Sequence, residues 1–241
     1  MRVFRSELSK LLTLPFTWLA VAAGLALPTG IAVITSLTTS PDENTGFSEI
    51  AIGVAGAIVL GAVAIGSEYT TEGEESAAGR QITTTLTATA ARTRLLLAKA
   101  AAVALLAAGT AAAAVVAVFA TVGLLTDAGP ALDPGTAARA GGAVVFWVLM
   151  ALLAFALTAL TRSGVIPMAV LVANSSAVSV TYLLAQRFPA ADYLPDLAGM
   201  RMFTALETST AMTPVMGGLV MTAWAAALLV AATVVFARRD A

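Results

Sequence analysis

The strongest constraint on this chain is a succession of apolar runs that carry no charge. They cover 15–37, 50–66, 100–126, 140–161, 163–186 and 214–237. A helix of about 17 or more such residues is long enough to cross the hydrocarbon core of a bilayer. No water reaches that core, so a spanning segment must satisfy its own backbone N–H and C=O groups, and a helix does this. The sequence therefore predicts an all-α polytopic membrane protein with six transmembrane helices. Composition agrees: 59% of residues are hydrophobic and 11% charged, too few charges for an ordinary soluble domain. The first run follows a basic stretch, Met1 to Lys10, as a signal peptide would. It is longer than the roughly 7–15 apolar residues of such a peptide, and five more runs follow, so it is read as a retained span.

Missing residue types exclude whole chemistries. With no Cys and no His, disulfides, thiol catalysis, histidine-ligated metals and a Ser-His-Asp triad are ruled out. A phosphate-binding P-loop needs Lys after Gly, but the two lysines, Lys10 and Lys99, follow Ser9 and Ala98. No run holds a central Asp, Glu, Lys or Arg, which argues against proton relays and charged pore rings. A membrane-embedded enzyme finds no base or nucleophile set here. No cofactor is expected on this chain, and nucleic acid is not expected as a partner.

Basic residues set the orientation. With six spans, Arg2, Arg5, Lys10, Arg80, Arg92, Arg94, Lys99, Arg162, Arg238 and Arg239 share one side. Arg139, Arg187 and Arg201 fall on the other. The bias predicts both termini in the cytoplasm. Counted with the acids, the cytoplasmic side carries +4 and the outer side −5, within a net charge of −1.

The loops and spans carry further pattern. In 1–13, Phe4, Leu8, Leu11 and Leu12 recur at helical spacing between Arg5, Ser9 and Lys10. This reads either as an amphipathic helix on the cytoplasmic membrane surface or as a generic basic anchor. Segment 67–99 opens on Glu68, Glu72, Glu74 and Glu75 and ends on Arg80, Arg92, Arg94 and Lys99. It is either a solvated loop that enforces topology or a docking surface for a soluble partner. Lys99 is placed to snorkel to the cytoplasmic surface. In 163–186, Asn174, Ser175, Ser176, Ser179 and Thr181 follow Pro167, with Ser175 and Ser179 on one helix face. Such polar groups serve interhelical hydrogen bonding or line a substrate path. Gly53, Ala57 and Gly61 form a small-residue face for close packing, and Pro28 with Gly24 and Gly30 permits a bend. Segment 187–213, with Leu194, Leu197, Met202, Phe203 and Leu206, is too apolar for a free loop and too short for a crossing hairpin. It reads as an outer re-entrant segment.

The order of these features resembles a known family. Glu7-Leu8-Ser9-Lys10-Leu11 before the first span resembles the E-L-x-K-L start of bacterial ABC-2 type transporter permeases. Ile65-Gly66-Ser67-Glu68-Tyr69, Ile82-Thr83-Thr84-Thr85-Leu86, Ala91-Arg92-Thr93-Arg94 and Leu97-Ala98-Lys99-Ala100 then look like its E-Y, T-x-x-L, P-R-R and A-K-A signature, most like its actinobacterial members. The stretch Thr71 to Gly79 is longer than the family's turn, and Ala90 or Ala91 stands for a common Pro.

The resemblance implies an ABC-2 (type V ABC exporter) permease-like fold in the bacterial plasma membrane. It implies a membrane-spanning permease subunit of an ATP-driven ABC exporter, with ATP and Mg on separate ABC ATPase subunits. It also implies a homodimer or a paired second permease. The ATPase-coupling role falls on Glu68, Arg80, Ile82, Leu86, Arg92 and Arg94. Asn174, Ser175 and Ser179 are the candidate path or interhelical polar residues. The expected cargo is an amphipathic drug-, peptide- or lipid-like molecule on an uncharged path, with membrane lipids around the chain. The competing expectation is a non-transporting membrane anchor or immunity-type interaction protein.

Overall fold

The structure is a computed structural model, and it describes residues 2–67, 69, 92–126, 133–175, 179–205 and 210–238. Among the described residues the regular structure is helical. The elements are α1 (Arg2–Thr13), α2 (Pro15–Thr38), α3 (Phe47–Gly66), α4 (Arg92–Leu125), α5 (Pro134–Thr161), α6 (Val165–Asn174) and α7 (Val180–Ala185). A 3₁₀ turn (Pro189–Tyr193), α8 (Pro195–Met200) and α9 (Pro214–Arg238) follow. Five of them, α2, α3, α4, α5 and α9, are long and apolar enough to cross a membrane. The chain is thus a multi-pass, all-helical membrane protein.

The expected span over 163–186 is not one helix. It ends at Asn174 and restarts at Val180, and α6 covers only about 15 Å of axis at 1.5 Å per residue. The cause is local. Asn and Ser side chains offer the backbone partners that compete with helix bonds. Ser175 Oγ donates to Val172 O at 3.1 Å, and Ser179 Oγ accepts the Tyr182 N–H at 3.2 Å, capping α7.

Helices α3 and α5 form the centre. Buried residues make up 72% of the apolar stretch of α3 and 67% of that of α5, against 22% for α2 and α9. Around them α2, α4 and α9 present one buried stripe each and turn large apolar side chains outward, among them Phe16, Leu19, Leu105, Val116, Val215 and Leu219. That is the pattern of helices with protein on one side and lipid on the other. Trp147, fully buried, donates its indole N–H to Ile50 O at 3.1 Å and ties α5 to α3.

Close approach depends on glycine. A methyl at Gly53 would lie 2.7 Å from Pro28 and from Trp147, and one at Gly56 would lie 2.6 Å from the Gly24 backbone. One at Gly61 would overlap the Ala151 carbonyl oxygen. Gly53 and Gly61 thus pack as their spacing predicts, and Gly56 supplies a second contact, to α2. Gly109, by contrast, has no atom near the place of an added methyl. Overpacking costs about 1–3 kcal/mol, and a helical Gly is about 0.5–1 kcal/mol worse than Ala. Gly61→Val is therefore expected to lower stability by about 3 kcal/mol and Gly109→Ala to leave it unchanged or raised. Thermal unfolding in detergent checks both, and equal effects would remove the packing argument.

Candidate functional site: a cavity at a broken helix

One end of the bundle, the near end, carries α1 and the start of α4. Phe4, Leu8 and Leu11 pack on the core, while Arg5, Ser9 and Lys10 are exposed. The amphipathic helix therefore docks against protein. Glu7 shares its buried face and meets Lys99 at 2.7 Å, both side chains at most 4% exposed. Lys99 does not snorkel outward as its position predicts, because a carboxylate from α1 reaches it first. Lys10 makes a second contact with Glu7 at 3.3 Å.

Of the proposed coupling residues, Arg94 is exposed on the first turn of α4 and Arg92 opens that helix. The Arg92 side chain and residues Glu68, Arg80, Ile82 and Leu86 lie outside the described residues. At 34 residues, α4 is roughly 50 Å long, about 20 Å more than a bilayer core requires. Its first turns have length to spare beyond the core.

The far end is tied together by polar groups from distant parts of the chain. Arg139 of α5 donates to Phe203 O at 2.7 Å, Glu43 O at 2.8 Å and Asn44 Oδ1 at 2.9 Å. Its guanidinium sits 4.0 Å from the centre of the Phe47 ring. Asn44 also accepts the Ala205 N–H at 2.9 Å and donates to Ala205 O at 3.3 Å. Glu49 accepts from Thr35 Oγ1 and the Gly46 N–H, both at 2.7 Å, joining α2 to the start of α3. Asp192 and Arg201 are 3.7 Å apart and buried, and Asp192 also accepts from the Thr210 hydroxyl. The described parts of segment 187–213, residues 187–205 and 210–213, are thus tied to the far end.

Within this end lies a cavity of about 320 Å³, open on one side. Its apolar lining comes from Ala51, Ile52 and Val54 of α3, Phe146 of α5, and Leu197 and Met200 of α8. Its polar lining includes Ser48, Asn174, Ser175, Ser179, Tyr182 and Asp196. All three path candidates from the sequence therefore line it. They do so differently from expectation, since Ser175 and Ser179 lie on opposite sides of the helix break and share no helix face.

The break supplies part of the polar lining. Asn174 Oδ1 accepts from the Thr181 N–H at 3.2 Å and the Thr181 hydroxyl at 2.9 Å, bridging α6 to α7. Its amide nitrogen donates to Asp196 Oδ2 at 2.7 Å. Ser179 Oγ lies 3.3 Å from Asp196 Oδ2 and 3.4 Å from Asn174 Oδ1, and its one proton serves either. Burial pushes the Asp196 carboxyl above its ordinary value, and donors at Thr181, Leu197 N and Asn174 pull it back in part.

Sequence reasoning counted Asp196 among outer acids and Arg139 among outer bases, and so missed both. A signal was present for Asp196. Pro195 followed by Asp196 is a helix start, and here it starts a helix inside an apolar segment. No protein-family model matches the chain, and a search of curated proteins finds no match.

Two expectations follow. Removing one partner of a buried ion pair costs about 3–5 kcal/mol, and replacing both costs far less than the sum. Glu7→Gln and Lys99→Met should each destabilise by about that much and the double variant by less than the two together. Strict additivity in thermal unfolding would exclude the pair. For Asp196 the folded-state pKa is raised, so its proton-linked stability is complete below the ordinary carboxylate value and is lost as pH rises through the raised one. The stability of the wild type relative to Asp196→Asn should therefore increase as pH falls through that window. Melting curves at several pH values test this, and a difference that does not move with pH contradicts it.

Proposed function

We propose that the chain is the membrane permease subunit of an ATP-driven exporter of the ABC-2 type. It works as a homodimer or with a second permease over separate ATPase subunits. The near end then faces the cytoplasm of a bacterial cell, with both termini on that side. The reading is supported above all by the Glu7–Lys99 pair. Its partners come from the first and last of the stretches that resemble the family, 92 positions apart in the chain. A buried charge is retained only with a partner, so α1 and the base of α4 move together. The docking segment leads straight into that base.

The chain does no chemistry of its own in this scheme. ATP binding closes the ATPase pair, and the segment ending at Arg92 and Arg94 passes the motion to α4. The nucleotide shifts an inward–outward equilibrium only by its difference in affinity for the two states. At the far end the cavity offers apolar lining for hydrocarbon and polar lining for a head group. That suits amphipathic cargo, though the lining bears a carboxylate where an uncharged path is expected.

Affinity purification of the tagged chain from its own membranes is expected to bring down a P-loop ATPase. Arg92→Glu with Arg94→Glu should lower the recovered ATPase about tenfold or more, as like charges facing an interface cost several kcal/mol. Arg94 is exposed, so folding should be unaffected. If no ATPase is recovered and export survives the double reversal, the assignment fails.

A further inference from the structure

Asp196 is 7% exposed, yet among the described residues no Lys or Arg stands within ion-pair distance of it. Among the described residues, Asp42, Glu43, Asp133 and Arg187 of the far end are exposed, and its other charges are engaged elsewhere. Arg139 is spent on Phe203, Glu43 and Asn44, Asp192 and Arg201 on each other, and Glu49 on Thr35 and Gly46. Helices α6 and α7 bring no charge, and α8 brings no second one. A buried carboxylate ordinarily has a cation beside it. This one has neutral donors, and it lines a cavity whose other lining residues include Ile52, Leu197, Met200 and the Phe146 ring.

We infer that the cavity binds the protonated amine of an amphipathic organic cation, with Asp196 as its counter-ion and Ile52, Phe146, Leu197 and Met200 holding the hydrocarbon. The volume of about 320 Å³ is at the small end of the range of roughly 300–1,000 Å³ for small-molecule sites. It fits a head group with a short apolar body. The raised carboxyl has a place in this scheme. Burial disfavours the charged form of Asp196, and an ammonium beside it favours that form, so the two effects act in opposite directions. Tyr182, which also lines the cavity, adds a ring that attracts cations. The word cargo for this ligand rests on the export reading, but the binding site does not.

The test uses the full chain, without ATPase, in phosphatidylcholine nanodiscs, whose quaternary head group has no N–H to donate. Octylamine and 1-octanol, which share a tail and differ in the head, are titrated calorimetrically with empty nanodiscs subtracted. At neutral pH octylamine should bind about tenfold or more tighter than octanol, the scale of a hydrogen bond to a charged group. The margin should shrink as pH falls through the titration of Asp196. Asp196→Asn should remove the margin by weakening the amine alone, and Asp196→Glu should restore most of it. A wild-type chain that does not distinguish amine from alcohol overturns the inference, whatever the variants do. So does an Asp196→Asn chain that folds and keeps the margin. Phosphatidylethanolamine added to the nanodiscs separates two sources of the same chemistry. Competition by that lipid assigns the site to a membrane head group, and indifference assigns it to a free amine. The ATPase purification above is a different measurement, so either idea can fail alone.

Discussion

In a hydrocarbon medium every backbone polar group must find its partner inside the chain. Helices α2, α3, α4, α5 and α9 meet that demand, save that Pro28 within α2 has no N–H to give. Once the backbone is satisfied, lipid offers little reason for helices to attract, and close packing becomes the main source of cohesion. That explains the glycines at 56 and 61, where the backbones of α2 and α5 come within a methyl's reach of α3, and at 53, where the Pro28 and Trp147 side chains do. The same demand makes a helix break expensive unless side chains supply what the helix gave up. At 174–181 they do, through Asn174, Ser175, Ser179 and Thr181. Three of these groups, Asn174, Ser175 and Ser179, also supply part of the cavity's polar lining.

The two ends of the bundle are held differently. At the near end one charge pair fastens α1 to α4, and an ion pair in so apolar a place is worth most as a fixed registration. At the far end, hydrogen bonds from Arg139, Asn44, Glu49, Asp192 and Arg201 join segments up to 161 positions apart. Such a network orders several elements relative to one another at once. A molecule built this way has a buried ion pair at one end and a cavity at the other, with the two central helices α3 and α5 between them.

Much of the fold was legible because lipid imposes a coarse code. Length and absence of charge are enough to mark a spanning helix, and α2, α3, α4, α5 and α9 begin and end within a few residues of their apolar runs, save where Arg92 and Pro134 extend α4 and α5 into polar sequence. The helix break was not legible from hydropathy, since 163–186 is uncharged throughout. Its signal was the density of Asn and Ser, which serves equally for bonding between helices and for capping. Of the site, Asn174, Ser175 and Ser179 were found for that reason. Asp196 and Lys99 were not, because the rules for charges near membrane ends assume that they reach water. Lys99 is instead buried against α1, remote in sequence, and Asp196 is held beside Asn174 and Ser179 of the broken helix. Only the tertiary structure brings those together.

The placement of Asp196 also resolves a conflict between insertion and recognition. A carboxylate at the centre of a spanning helix is costly to insert, yet a cavity that recognises a cation needs one. Here the carboxylate arrives on α8, which is too short to span, and enters from the end of the bundle. Its donors wait on the broken helix. The charge is thus held by a contact between separate elements, and its environment depends on where α8 sits. That position is set by close packing, Gly199 against Phe146 and Met221, and Gly217 of α9 against the Ala198 carbonyl, and by the Asp192–Arg201 pair. Because α8 packs on both α5 and α9, a displacement of one against the other disturbs the contacts that hold Asp196 beside Asn174 and Ser179. Since those two donors stabilise the charged form, the same displacement changes how strongly the site holds a cation. Packing at the bundle end and affinity in the cavity are therefore one coupled quantity, whatever drives the motion.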